Sequence, residues 1–312
     1  MNNIYSPAVS TVESRTEFLE IESVYQRKEK APKLPSYLPI VQFFVGILSN
    51  AFPKTAAKIA FHQFRMPRIR AKHKTSDKAL EAAKINEILV GSNILKVYEW
   101  GKGDKNVLLV HGWESRGTAM RAFAKPLIDK GFRVIAFDLP AHGDSSGKRT
   151  TFPECAEAIS AVINRLGSVE AVITHSFGGM VLTYASRRLM PNQPIPKVIM
   201  VGVPLRFDDM LLKVEGIMNF SDKVLPQVKK IIFDIAGEYP IDMNIPMAAN
   251  KTQIEELMII HDKNDPIVDF KYAAEIHEAW TDSKLVVTEG LGHYRILKNE
   301  KVIERAVKFI IK

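Results

Sequence analysis

One serine stands where a strand pattern gives way to a helical pattern, and it could act as a nucleophile. An apolar run ends at Thr174, and the stretch from His175 to Gly179 follows before the helical pattern begins. A sharp turn from strand to helix lifts the oxygen of a serine at position 176 clear of the sheet and directs the next backbone N–H at whatever binds there. The turn needs small residues two positions before and after the serine, and glycine fits at the least steric cost. Gly178 meets this requirement and Thr174 departs from it, so the shape of the turn stays an open question.

A serine nucleophile needs a base that accepts its proton and an acid that orients the base. The apolar run Leu257–His261 leads into Asp265, and the run Leu285–Thr288 leads into His293. In a parallel sheet, residues just beyond the carboxyl ends of the strands meet at one edge. We therefore expect Ser176, Asp265 and His293 to form a site for acyl transfer through a covalent intermediate.

The acid and the nucleophile each have competitors. Asp262 stands beyond the same strand as Asp265 and competes with it as the acid, and Asp208, after the preceding strand, is a more distant candidate. Cys155 is the one cysteine of the chain, so no internal disulfide can form and a reducing compartment is expected. We interpret it as an ordinary helix residue, because the chain offers a better nucleophile.

Three further polar residues, His111, His142 and Asp144, raise the question of a metal site. The sequence has neither the two-histidine helical spacing nor the cysteine cluster that such sites use. We interpret these residues as hydrogen-bonding groups that shape loops, and we expect no metal and no cofactor.

The formal net charge of +8 does not describe the whole chain. Residues 30 to 76 contain nine lysines and arginines and no acidic residue, so the remainder sums to about −1. Because the positive charge belongs to an N-terminal segment and not to the part with the serine, nucleic acid is not expected as a partner.

The first 84 residues are predicted to be an N-terminal extension. Residues 1–37 have the pattern of a tail, and the apolar run 38–52 is shorter than the roughly 20 residues of a membrane span and ends at Pro53. Residues 54–74 alternate apolar and basic residues as an amphipathic helix would. Two interpretations stay open for residues 38–74: packing on the domain, or peripheral contact with a membrane surface. No secretory signal is recognised, and a cytoplasmic location, at the membrane surface under the second interpretation, is expected.

From residue 85 onward the sequence predicts an α/β fold with a mostly parallel central sheet and helices on both faces. Near-continuous runs of Val, Ile and Leu alternate with helix-length segments, as strands buried on both faces require. An antiparallel hairpin around Gly91 is predicted at the start. The predicted strands are Ile85–Val90, Ile94–Trp100, Val107–His111, Arg133–Asp138, Ala171–Thr174, Lys197–Val203, Leu257–His261 and Leu285–Thr288.

A helical cap is predicted at about residues 204–252, after the sixth of these strands. The connection is far longer than an ordinary crossover requires, and its patterns are helical. Its methionines and phenylalanines could line an adaptable apolar pocket or form the core of the cap itself.

Residues from about 85 to 312 resemble the α/β-hydrolase family. The resemblance rests on five motifs in the family's order, at the ends of the expected strands. They are His111-Gly112-Trp113, the turn Asp138–Ser145 with Ala141 in place of its first glycine, the turn at Ser176, the Asp-x-x-Asp-Pro-x-Val stretch with Asp265, and Gly-x-Gly-His ending at His293.

The resemblance implies a role for each matched residue. Ser176, Asp265 and His293 correspond to the nucleophile, acid and base, and the backbone N–H groups of Trp113 and Phe177 would form an oxyanion hole. Two neighbours, His175 beside the nucleophile and Tyr294 beside the base, are expected to be substrate-binding residues in the pocket wall.

The expected function is that of a carboxylesterase-like serine hydrolase acting on a small-molecule or lipid-like ester, thioesters included. The serine at position 176 argues against the branches of the family that use an aspartate nucleophile. Carbon–carbon bond hydrolysis or acyl transfer to an alcohol would use the same three residues. An alternative of another class is a non-catalytic binding or sensing protein that docks through its N-terminal segment. The oligomeric state is left open.

Overall fold

The structure is a computed structural model, and it describes residues 15–20, 36–68, 70–71 and 78–312. The strands are β1 (Thr16–Phe18), β2 (Lys84–Val90), β3 (Asn93–Trp100), β4 (Lys105–Val110), β5 (Phe132–Phe137), β6 (Ala171–His175), β7 (Ile195–Val201), β8 (Ile254–Asp262) and β9 (Lys284–Thr288). The α-helices are α1 (Leu38–Ala51), α2 (Pro53–Phe64), α3 (Lys78–Glu81), α4 (Ala124–Ile128), α5 (Phe152–Leu166), α6 (Phe177–Arg188), α7 (Phe207–Met218), α8 (Val224–Ala236), α9 (Lys271–Ala279), α10 (Gly292–Arg295) and α11 (Glu300–Ile311). Short 3-10 helices cover Gly117–Phe123, Pro246–Ala248 and Ile296–Lys298.

The described strands form one nine-stranded sheet in the order β1-β9-β8-β7-β6-β4-β5-β3-β2. All neighbouring pairs are parallel except β2 with β3 and β3 with β5. The prediction of a mostly parallel α/β sheet is confirmed. The parallel strands β4, β6, β8 and β9 end at the same edge, which brings the residues that follow them together.

Helices cover both faces of this sheet. Successive residues of a strand point to opposite faces, and β4 illustrates the rule. Leu108 and Val110 pack into a core with α5 and α6, whereas Val107 and Leu109 pack into a second core with α4 and α11. Burial on both faces explains why this strand reads as an uninterrupted apolar run.

The connection between β7 and β8 contains α7 and α8, and residues 204–252 are called the insertion below. Buried apolar side chains on α8 join the same core as α5 and α6. Two polar contacts fasten the insertion to α6: the Tyr184 hydroxyl donates to the Ala236 carbonyl at 3.1 Å, and the Arg187 guanidinium pairs with Glu238 at 2.6 Å. Phe207 and Met243 of the insertion are buried in the core that α5, α6 and α8 share.

The N-terminal helices α1 and α2 pack on the insertion. The Gln42 side-chain amide donates to the Ile217 carbonyl at 2.7 Å, and the Ser221 hydroxyl donates to the Ser49 carbonyl at 2.9 Å. Ala56 and Ala57 of α2 are buried in the core that α8 also enters. No described helix is both long enough and apolar enough to cross a bilayer.

The arginines that follow α2 bind the rest of the domain. The Arg68 backbone N–H donates to the Glu114 carboxylate at 2.8 Å, and the Arg70 Nε donates to the Gly143 carbonyl at 2.6 Å. For this part of the basic segment, the structure matches the packing interpretation. Residues 69 and 72–77, also in that segment, lie outside the described residues.

Residues 1–37 were predicted to be a tail, and for Thr16–Phe18 this prediction is wrong, because these residues form strand β1. Thr16–Phe18 pairs in parallel with β9 at the edge of the sheet, with Thr16 opposite Leu285. A run of three residues is too short to carry a readable alternation. The remaining residues of the predicted tail, 1–14 and 21–35, lie outside the described part of the chain.

Candidate active site

Ser176 occupies a sharp turn between β6 and α6, and its side chain is half-buried. Its backbone angles are φ 52° and ψ −128°, a conformation that non-glycine residues rarely adopt. Such strain costs of the order of 1–3 kcal/mol and persists only where the surroundings hold the residue in place. Here the Ser176 N–H donates to the Val201 carbonyl at 2.9 Å, which fixes the turn against β7.

Two consecutive glycines give the turn its room. A Cβ atom on Gly178 would lie 2.6 Å from the His111 carbonyl oxygen, and one on Gly179 would lie 2.6 Å from a Val203 methyl and 2.9 Å from the Thr174 hydroxyl. Thr174 is buried and its hydroxyl donates to the Ile199 carbonyl at 3.2 Å. The threonine therefore fits because Gly179 leaves space for it, a role of Gly179 that its place in the motif does not reveal.

The loop after β4 lies directly beside this turn. A Cβ atom on Gly112 would approach the Ser176 Cβ to 3.0 Å, so the loop and the serine are in close contact. Trp113, the next residue of the loop, contacts Phe177 ring to ring at 5.4 Å. Phe177 is the first residue of α6, where a backbone N–H has no acceptor within the helix. The loop after β4 and the start of α6 thus both adjoin Ser176.

His293 and Asp265 form a close pair. His293 follows β9 on α10, and its Nδ1 lies 2.7 Å from the Asp265 Oδ2. The other carboxylate oxygen of Asp265 accepts the backbone N–H groups of Ile267 at 2.8 Å and Val268 at 2.9 Å. Burial opposes ionisation of this carboxyl, but the hydrogen bond and charge of His293, with the two N–H donors, outweigh it and lower the pKa of Asp265. Asp265 is therefore an anion held in one orientation toward the imidazole.

The two competing acids are used elsewhere. Asp262 accepts hydrogen bonds from the Thr288 hydroxyl at 2.7 Å, the Leu291 N–H at 2.8 Å and the Asn264 N–H at 2.9 Å. Asp262 therefore fixes the loop that leads from β9 to His293. Asp208 lies in the insertion, where it pairs with Lys229 at 2.7 Å. Of the three aspartates considered, Asp265 is the one that hydrogen-bonds to His293.

His175 contacts His293 through a hydrogen bond and through its ring. Its side chain is 2% exposed, its Nε2 donates to the His293 carbonyl at 3.0 Å, and the two imidazole rings lie 4.6 Å apart. Burial, reinforced by the nearby His293, lowers the pKa of His175 to about 3, so this ring is neutral. His175 was predicted to bind substrate, but its ring is buried and hydrogen-bonded to the His293 backbone, so in the structure it contacts the loop of the proposed base. Tyr294 is half exposed, and its ring lies 5.0 Å from the His293 ring, at the surface of the site.

The remaining histidines of the site shape its loops, as their sequence context predicts. The Leu139 N–H donates to the His111 Nε2 at 3.0 Å, and the His111 Nδ1 donates to the Gly112 carbonyl at 2.7 Å. His142 donates to the Pro140 carbonyl at 2.9 Å, and burial lowers its pKa to about 3.

Asp138 holds together the turn that follows β5. Its carboxylate accepts the Gly117 N–H at 2.7 Å, the Asp144 N–H at 2.8 Å and the Tyr98 hydroxyl at 2.7 Å. Within the described ranges, no group of three or more acidic, histidine or cysteine side chains is arranged to hold a metal ion. Cys155 is buried on α5, and burial raises the pKa of its thiol to about 12.

An aromatic cluster adjoins the serine on the side of the Trp113 loop. Phe64, from α2, stacks on Trp113 at 6.5 Å and meets Phe207 edge to face at 5.7 Å. Phe152 contacts Phe207 at 4.9 Å and Phe177 at 5.5 Å. Phe64 was not among the predicted site residues. In the sequence, Phe64 is one of the apolar residues that alternate with basic residues in the segment 54–74. This pattern does not identify the residues that Phe64 contacts.

Comparison with known proteins agrees with this architecture. The model of the alpha/beta hydrolase family matches residues 107–305. A bifunctional esterase/perhydrolase from Acinetobacter calcoaceticus is 32% identical over 108 residues, which are 33% of this chain. The chain spans less than half the length of the curated relatives it matches, 39% for this one.

Two solved structures illustrate the likeness in fold. An esterase from Pyrococcus furiosus has a TM-score of 0.61 and 21% identity, over 79% of this chain and 96% of its own. The thioesterase domain from the curacin biosynthetic pathway has a TM-score of 0.54 and 17% identity, over 74% of this chain and all of its own.

Proposed function

The chain belongs to the alpha/beta hydrolase family, and from this premise we propose that it is a serine hydrolase that cleaves carboxylic esters or thioesters. The observation that carries the proposal is the 2.7 Å hydrogen bond between Asp265 and His293 beside the strained turn at Ser176. An anionic acid after β8, an imidazole after β9 and a serine after β6, all at one edge of the sheet, are the groups that covalent acyl transfer needs.

In the proposed reaction His293 takes the proton of the Ser176 hydroxyl while the serine oxygen bonds to the carbonyl carbon of the substrate. Asp265 occupies the Nδ1 side of the imidazole, so the proton that Nδ1 carries stays there and Nε2 is left to act as the base. The tetrahedral intermediate expels an alcohol or thiol, which takes the proton from His293. His293 then takes a proton from a water whose oxygen bonds to the acyl carbon. The second tetrahedral intermediate releases the carboxylic acid, and the proton on His293 returns to the Ser176 oxygen.

The backbone N–H groups of Trp113 and Phe177 are proposed to bind the oxyanion. Support comes from the close approach of the loop after β4 to the serine and from the position of Phe177 at the start of α6. The positive end of the helix dipole adds to this stabilisation. Removing one such donor typically lowers kcat by about 10²–10³-fold.

The insertion and α2 are proposed to act together as a cap over an apolar part of the substrate. The aromatic cluster of Phe64, Trp113, Phe152, Phe177 and Phe207 adjoins the serine and supports an apolar acyl or alcohol group there. Substrates with an apolar chain are therefore expected to react better than acetates.

The test is a panel of p-nitrophenyl esters and acyl-thioesters of increasing chain length, measured with the wild-type protein and Ser176→Ala. We expect ester or thioester cleavage that Ser176→Ala lowers at least about 10³-fold in kcat. Failure of the wild-type protein to turn over any member of the panel, with the fold intact by circular dichroism, would contradict the proposal. That result would favour a non-catalytic binding protein.

A further inference from the structure

Helix α1 turns its most apolar side to the solvent. Ile40, Phe43, Phe44 and Ile47 are spaced so that they share one face of the helix, and their exposed fractions lie between 56% and 65%. At about 180 Å² for a fully exposed side chain of this size, the four leave roughly 450 Å² of apolar surface, as much as the largest patch on a typical monomer. This set of four residues is called the α1 face below.

The helix is inverted relative to an ordinary surface helix, which keeps polar residues outside. Two of its three polar side chains bond to the insertion instead: Gln42 donates to the Ile217 carbonyl, and the Ser49 hydroxyl accepts the Ser221 N–H at 3.1 Å. The third, Asn50, is exposed and donates to the Gly46 carbonyl within the helix. These bonds fix the rotation of the helix about its axis. The α1 face is thus held outward by contacts with the insertion.

The apolar surface extends past both ends of the face. Tyr37, before the helix, and Phe52, after it, are each 63% exposed. The exposed aromatic side chains therefore follow the whole length of the helix, as in segments that lie at the boundary between headgroups and acyl chains.

The charges near this surface are predominantly positive. Helix α1 has no charged side chain, and the adjoining α2 presents Lys54 and Lys58 to the solvent. The packed insertion contributes both signs, with Glu215 and Asp222 beside Lys213 and Lys223. Within residues 36–68 there is no acidic residue. An apolar face with cationic flanks complements an anionic lipid surface.

We propose that the α1 face is a docking surface for an anionic lipid bilayer, with Phe43, Phe44 and Ile47 inserted at the headgroup boundary and Lys54 and Lys58 against the lipid phosphates. The inserted side chains supply apolar burial, and each lysine adds attraction that salt weakens. The helix lies in the membrane plane and does not cross it. This proposal does not depend on the hydrolase reaction.

The test is flotation of the full-length protein with vesicles of phosphatidylcholine alone or with 30% phosphatidylglycerol, at low and high salt. Phe43→Ser/Phe44→Ser removes two members of the face, and its matched control is Leu89→Ser, a 72% exposed leucine on β2. Lys54→Gln/Lys58→Gln removes the flanking charges, and Lys102→Gln/Lys130→Gln, two exposed lysines elsewhere, is its control. Size-exclusion chromatography with light scattering gives the oligomeric state of each protein, and melting temperatures verify folding.

We expect the wild-type protein and both controls to bind the anionic vesicles. The phenylalanine variant should lower the partition coefficient at least about tenfold, and the lysine variant should lower it about 30-fold at low salt only, at about 1 kcal/mol for each lysine. Ser176→Ala should bind like the wild type.

The proposal is overturned if the wild-type protein does not float with anionic vesicles, or if the phenylalanine variant floats as well as Leu89→Ser does. A wild-type dimer that Phe43→Ser/Phe44→Ser dissociates, without vesicle binding, would assign the face to a second copy of the chain.

Discussion

Asp265→Asn changes one atom in the pair that orients His293, and the surrounding hydrogen bonds determine the consequence. The Asp265 Oδ1 accepts N–H groups from Ile267 and Val268, so the carbonyl oxygen of an asparagine must take this position. The amide NH₂ then occupies the Oδ2 position, 2.7 Å from the His293 Nδ1. Since the NH₂ group only donates, Nδ1 must become an acceptor and the imidazole proton moves to Nε2.

An imidazole with its proton on Nε2 cannot accept the proton of Ser176. The expected loss in kcat is about 10⁴-fold, as for the wrong tautomer in a serine triad, which corresponds to about 5 kcal/mol of transition-state stabilisation. The assay is steady-state hydrolysis of the best p-nitrophenyl ester from the panel, with circular dichroism to verify folding.

Asp262→Asn is the comparison that tests the choice of acid. Asp262 has three donors around its carboxylate, and an amide NH₂ would oppose one of them. Its main effect should be a loss of about 1–3 kcal/mol in the free energy of unfolding. If Asp265→Asn keeps its kcat within tenfold of the wild type while Asp262→Asn loses 10⁴-fold, the acid assignment and the tautomer argument are both refuted.

Three further predictions concern the turn, a buried histidine and the aromatic cluster. Gly178→Ala would place a methyl group 2.6 Å from the His111 carbonyl oxygen, so the free energy of unfolding should fall by about 1–3 kcal/mol; Gly216→Ala, a helix position with nothing within 4 Å, should not destabilise. Burial lowers the pKa of His142 from 6.5 to about 3, so below pH 6.5 the unfolded chain binds a proton that the native state does not. The free energy of unfolding should fall by up to about 1.4 kcal/mol per pH unit from this group as the pH decreases below 6.5. Urea denaturation at several pH values should give a shallower dependence of the free energy of unfolding on pH for His142→Asn than for the wild type. An unchanged dependence on pH would contradict the burial argument. Phe64→Leu should raise KM for long-chain esters about three- to tenfold with a smaller change in kcat, and equal effects on acetate and long-chain esters would show that Phe64 does not contact the substrate.

The sequence predicts those parts of the fold that have strong local patterns. Strands buried on both faces must be apolar throughout, so β4, β6 and β8 are readable as runs of Val, Ile and Leu. The serine, the aspartate and the histidine each follow a readable strand, β6, β8 and β9, so their order is also visible in the sequence. Ser176, Asp265 and His293 could therefore be proposed from the sequence, and the structure brings Asp265 and His293 together.

The remaining features depend on contacts between distant segments, which leave no local pattern. Phe64 lies beside Trp113 only because α2 packs on the insertion, and nothing in its own segment specifies that partner. The choice between Asp262 and Asp265 depends on backbone geometry within one loop. His175 could be read as a pocket residue because its position in sequence does not show that its ring lies under His293.

The outward face of α1 is a further feature that composition alone could not determine. The run from 38 to 52 is apolar nearly throughout, which fits a buried helix as well as an exposed one. The hydrogen bonds of Gln42 and Ser49 with the insertion decide which side faces the solvent.

The central claim is that Ser176 is the nucleophile, and covalent labelling tests it most directly. The wild-type protein is treated with a fluorophosphonate probe, digested, and the modified residue is located by tandem mass spectrometry. The account predicts one phosphonylated residue, Ser176, with no labelling of Ser176→Ala and strongly slowed labelling of His293→Ala. A label on another serine, or equal labelling of Ser176→Ala, would contradict it.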